Sequence, residues 1–102
     1  MVNEDKIIEL IEKGKQLGNM FSFDRSGKTI WSSVGIQKWQ DIYKVYVDEI
    51  EEENMEAEIY LRDEINYFDN ARDALKYIDE KTETNSLELH PCKGQKIFNP
   101  GF

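Results

Sequence analysis

The chain has 102 residues, enough for one domain with a single modest core. It holds 21 Asp and Glu against 13 Lys and Arg, a formal charge of -8. That balance argues against direct nucleic-acid binding, which rests on neutralising phosphates, and favours solubility and fast encounter with a basic partner. Aromatic residues at 12% argue against disorder despite 33% charged residues.

The opening residues lack a basic segment followed by an apolar one, so no secretory signal is expected. No apolar run approaches the roughly 20 residues that span a bilayer. A lone cysteine, Cys92, cannot form an internal disulfide. Together these features predict a cytoplasmic protein with no membrane association.

Asn3 is placed to cap a helix near residues 4–17, with Glu4 and Asp5 at the positive end of its dipole. Ile7, Leu10 and Ile11 share one face, Ile8 widens it, and Gly14 weakens the final turns. Phe21 and Phe23 then alternate with Met20, Ser22 and Asp24 as in a strand. A turn at Ser26-Gly27 and a second strand through Lys28–Ser32 follow. Ser26-Gly27-Lys28-Thr29 imitates the end of a phosphate-binding loop. The position of that motif's first glycine is Ser22, and the strand-then-helix context is missing, so the match is rejected. Gly35 reads as the next connection, with Trp39 anchoring the stretch beyond it.

Two alternating runs, Ile42–Val47 and Met55–Leu61, flank the acidic block Asp48–Glu53. Their period of two and their β-branched and aromatic content predict paired strands, although Ile42, Val45, Tyr46 and Ile50 also lie near helical spacing. An odd-length loop would bring Val45 and Val47 onto the face of Ile59 and Leu61 and bury them together. The opposite face would then gather Tyr46, Tyr60, Asp48, Glu56 and Glu58, aromatics among carboxylates suited to a contact surface. Counting the whole acidic stretch, the candidate partner-binding residues are Tyr46, Asp48, Glu49, Glu51, Glu52, Glu53, Glu56, Glu58 and Tyr60. No basic residue lies between Lys44 and Arg62. A merely solvated charged face is the competing reading, since exposed charges need no partner.

Past Leu61 the strand is free to continue beyond a bend at Asp63-Glu64. Asp69 or Asn70 then caps a second helix over 70–81 with Ala71, Ala74, Leu75 and Ile78 on its apolar face. Phe68 sits where it could staple strand to helix. Thr82–Ser86 is a polar linker, and Leu87, Leu89 and His90-Pro91 suggest a short extended piece. The basic, aromatic tail from Lys93 to Phe102 opposes the middle in charge; it either folds back on the acidic stretch or stays a free end.

The expected fold is therefore α+β, a single domain over residues 1–102 with two helices on a mainly antiparallel sheet. Its predicted core is Ile7, Leu10, Ile11, Phe21, Phe23, Val45, Val47, Ile59, Leu61, Leu75 and Ile78.

Chemistry is sparse. His90 and Cys92 lie two residues apart, but Pro91 disrupts regular geometry between them and one of each is too few for a zinc site. Asp48–Glu58 lacks the spacing and central glycine of a calcium loop. No enzyme, cofactor or metal is expected.

The acidic middle, the N-terminal helix and the strand-to-helix step Phe68-Asp69-Asn70-Ala71-Arg72-Asp73-Ala74-Leu75, with the tail Lys93-Gly94-Gln95-Lys96-Ile97-Phe98, resemble small bacterial immunity proteins. The nearest likeness is to those paired with toxins of contact-dependent growth inhibition systems. The resemblance implies a cytoplasmic protein that binds the C-terminal domain of a cognate toxin, often a basic nuclease, and occludes its active site or an exosite. Acidic residues would steer the encounter, with Tyr46 and Tyr60 as anchors. An acidic DNA mimic or adaptor that binds another basic protein is the alternative, and a small enzyme using His90 a more distant one.

Overall fold

The computed structural model describes residues 3–92, 94 and 96–101. Met1, Val2, Lys93, Gln95 and Phe102, which belong to the expectations for the two termini, lie outside the described residues. Helix α1 (Glu4–Glu12) leads into strands β1 (Leu17–Arg25), β2 (Lys28–Trp39), β3 (Ile42–Glu51) and β4 (Tyr60–Phe68). Helix α2 (Ala71–Lys81) and a two-residue strand β5 (His90–Pro91) follow. The strands form one antiparallel sheet in the order β4-β3-β2-β1-β5, so the fold is a single α+β domain as the periodicities predict. Neither helix is long and apolar enough to cross a membrane.

Local signals explain the helices. The Asn3 side chain accepts a hydrogen bond from the Lys6 amide, and that of Asn70 accepts one from the Asp73 amide. Helix α1 stops at Glu12 because Gly14 takes a left-handed φ of 85°, leaving Gln16 and Leu17 to begin the sheet.

Two-residue turns build the first three strands into a meander. Ser26-Gly27 and Gln40-Asp41 both place two consecutive residues at positive φ, the mirror-image geometry that suits the right-handed twist of strands. The second turn has no glycine, so the sequence does not advertise it. Gly35, expected at a connection, instead lies inside β2, opposite Tyr46.

Both helices cover one face of the sheet. Ile7, Ile11, Val34, Ile36, Val45, Val47, Ala74, Leu75 and Ile78 form its dry centre. Six predicted core residues, Ile7, Ile11, Val45, Val47, Leu75 and Ile78, are buried there, and Leu10, Phe21 and Phe23 are half-buried. Ile59 and Leu61 are not: they are 58% and 51% exposed. The cause is register. Residues 55–58 form a turn rather than a strand, with Glu58 at φ 53°, so eight residues, 52–59, separate β3 from β4. Val45 and Val47 then face Asn66 and Glu64 instead of Ile59 and Leu61.

The contact between β4 and α2 is consequently polar. Glu64 accepts hydrogen bonds from the Tyr77 hydroxyl at 2.6 Å, Arg62 at 2.8 Å and Asn66 at 3.1 Å. Arg62 also donates to the Lys81 carbonyl at 2.7 Å, which satisfies one of the open acceptors at the end of α2. Phe68 packs on Tyr77, with ring centroids 5.3 Å apart.

Leu75 is 2% exposed at the centre of the helix–sheet contact. Leu75→Ala should cost about 2–5 kcal/mol in chemical denaturation. A midpoint shift no larger than that of an exposed control such as Lys76→Ala would remove Leu75 from the core.

Candidate functional site

Strand alternation gives β2 and β3 a second face, opposite the helices. It carries Trp31, Ser33, Gly35 and Gln37 from β2 against Ile50, Asp48, Tyr46 and Lys44 from β3. Its two halves differ.

A C-terminal segment, residues 96–101, covers one half. The ring of Phe98 stacks on Tyr46 at 5.6 Å and rests on Gly35, where a Cβ would come within 3.0 Å of it. Gly18 provides the same clearance for Ile97. The buried Gln16 side chain accepts from the Ile97 amide at 2.7 Å and donates to the Phe98 carbonyl at 2.9 Å, and Lys44 donates to the Pro100 carbonyl at 2.7 Å. The tail therefore folds back, but it is seated by glycine clearance, ring stacking and Gln16. Lys96, the basic residue described here, stays exposed.

The other half is open. Met20, Trp31, Ser33, Asp48, Ile50, Met55 and Tyr60 line a hollow of about 190 Å³. Met20 is 71% exposed, and Trp31, Met55 and Tyr60 are exposed as well. Tyr60 reaches this face through a bulge. Glu49 pairs with Arg62 and Ile50 with Tyr60, which leaves Leu61 as the extra residue and turns Tyr60 over beside Ile50. Trp31 is held at the rim by its Nε1–H, which donates to Glu52 at 3.3 Å.

The predicted site residues separate into four groups. Tyr46, Asp48 and Tyr60 share the open face, Tyr46 at its boundary with the tail. Glu49 points the other way and is buried beneath Arg25, at 3.1 Å, and Arg62, at 3.8 Å. Its side chain is part of the scaffold. Glu51 and Glu53 share Lys28, at 3.3 and 3.1 Å, so the β1–β2 hairpin supplies the cation that the local sequence lacks. Among the described residues, Glu52, Glu56, Glu58, Asp48 and Asp63 form no ion pair. Sequence reasoning overlooked Met20, Trp31, Ile50 and Met55; Trp31 was available from alternation, since it opposes the buried Ile30.

The electrostatics differ between faces. Hydrogen bonds from Arg62 and Tyr77 hold the Glu64 carboxyl down at about 2. Burial pushes the Asp48 carboxyl up from its ordinary value of 3.8, partly offset by hydrogen bonds from the Ser33 amide and the Tyr46 hydroxyl, and Asp63 pushes it further. Burial raises Tyr60, and the charges of Asp48, Glu58 and Asp63 add to that. His90 is exposed in β5, and burial pushes the Cys92 thiol up.

No family model, curated protein or solved structure matches the chain.

These shifts have opposite consequences for stability. Glu64 has a depressed folded pKa, so its contribution is complete above the unfolded value of 4.5 and is lost as pH falls toward about 2. Asp48 has a raised one, so its ionisation costs stability at neutral pH, and the cost disappears below 3.8. Asp48→Asn should melt at or above the wild-type temperature at neutral pH, with the difference closing in acid. Glu64→Gln should melt lower at neutral pH and converge with wild type in strong acid. Thermal melts across that range check both, and a marked neutral-pH loss in Asp48→Asn would refute the first.

Proposed function

We propose that the chain is an immunity-type inhibitor that binds and neutralises the C-terminal domain of a cognate bacterial toxin, a basic nuclease of a contact-dependent growth inhibition system. It acts in the cytoplasm by occlusion, without catalysis and without touching nucleic acid itself. The observation that carries this reading is the open half of the tail face: an apolar hollow of Trp31, Tyr60, Met20 and Met55, with Asp48 in its lining and Glu52 against Trp31 at its rim, neither carboxylate in an ion pair among the described residues. An apolar centre with a charged rim suits protein–protein contact, in which buried aromatics supply most of the affinity. The rim charges suit a partner that is itself basic because it holds phosphates. The resemblance to immunity proteins supplies the toxin; the surface supports a basic protein partner.

The test is co-expression with the reading frame immediately upstream. A toxin that co-purifies with the chain and kills cells only in its absence supports the reading. A basic partner with no toxicity would move the assignment to an acidic adaptor or DNA mimic. Kinetics then locate the interface. Glu52→Lys, Glu56→Lys and Glu58→Lys combined should slow association and flatten its salt dependence, whereas Tyr60→Ala should speed dissociation. Unchanged surface-plasmon kinetics in the folded triple variant would exclude the acidic loop.

A further inference from the structure

Asp48 is poorly placed for a residue with only a structural task. Its half-buried carboxylate accepts from the Ser33 amide at 2.8 Å and from the Tyr46 hydroxyl at 3.0 Å, both neutral donors. Its partner across the β3–β4 ladder is another carboxylate, Asp63. Among the described residues neither has a Lys or Arg in ion-pair range, whereas the adjacent Glu49 has two arginines. Like charges opposite one another on a ladder are unfavourable, and a carboxylate withdrawn from water without a cation is costly. Folding alone would be served better by a neutral side chain at this position.

The surroundings indicate what would relieve the cost. Asp48 lies in the same hollow as the rings of Trp31 and Tyr60, with the apolar Ile50, Met20 and Met55 around them. An ionised carboxylate has about four acceptor sites, and two are used. A carboxylate beside aromatic faces complements a planar cation, which donates in a fork to the oxygens and lies flat against a ring.

We propose that this hollow is a receptor for one arginine side chain, presented by the basic partner and anchored on Asp48. The source of the arginine rests on the binding function inferred above; the chemistry of the hollow stands apart from it. The assignment makes Asp48 the specificity determinant, with the acidic loop of Glu52, Glu56 and Glu58 as the steering rim.

The experiment is a titration of the whole isotope-labelled chain with N-acetyl-arginine amide, read at the indole N–H resonances. Trp31 reports on the hollow, and Trp39, at the strapped end of the face, is the internal control. A saturable shift confined to Trp31 is expected, with little response to the uncharged norleucine amide. Asp48→Asn should weaken the affinity about tenfold, the equivalent of one charge-assisted hydrogen bond. Tyr60→Leu, which keeps apolar bulk and leaves the carboxylate untouched, should weaken it roughly two- to fivefold, the equivalent of one exposed cation–π contact, and provides a readout if Asp48→Asn fails to fold. No saturation, an equal response to norleucine amide, or an affinity unchanged in both variants would overturn the receptor. Equal affinity for lysine amide would overturn the choice of arginine. The titration requires no toxin, so its failure removes the hollow's assignment and leaves the immunity reading to its own test.

Discussion

Strand β3 has a hydrogen-bonded neighbour on each side along most of its length, so its side chains can leave the sheet in only two directions. Tyr43, Val45, Val47 and Glu49 go toward the helices; Lys44, Tyr46, Asp48 and Ile50 go toward the tail and the open hollow. A one-residue slip against β2 would drive Lys44 and Asp48 into the dry core and expose three apolar side chains. The register that buries Val45 and Val47 is therefore also what presents Asp48. Stability and the candidate contact surface are specified by the same alternation and cannot be varied independently.

Carboxylates divide along the same line. On the helix side Glu49 and Glu64 are matched to Arg25, Arg62 and Tyr77, and at the sheet end Lys28 serves Glu51 and Glu53. On the tail side Asp48 and Asp63 face each other, and among the described residues neither forms an ion pair. Matched acids lower the energy of the folded state and are largely spent as surface features. Unmatched acids store repulsion that protonation or an incoming cation relieves.

Periodicity and caps were legible wherever the determinants were local. Asn3 and Asn70 marked the helix starts, Ser26-Gly27 marked a hairpin, and Leu75 and Ile78 marked a buried stripe. What could not be read depended on long-range pairing. The alternation of Met55–Leu61 satisfies a strand pattern, yet Glu58 adopts a left-handed conformation there and Leu61 becomes a bulge. Gly35 resembled punctuation because nothing nearby shows that Phe98 lies against it. Tyr60 was placed on the correct face for the wrong reason: the bulge, and not an odd-length loop, brings it beside Ile50.

The strapped half of the face has a kinetic side. Each of the first two hairpins closes over two residues, while Gln16 reaches Ile97 and Phe98 across 81 and 82 positions of chain. Closing so long a loop carries a larger entropic cost and awaits a formed sheet to close upon. The seat for Phe98, Tyr46 beside Gly35, exists only where β2 and β3 are paired. Before the strap is seated, Tyr46 lies open on the same face as Trp31 and Tyr60, so a chain that has not placed Phe98 exposes more aromatic surface than the finished fold.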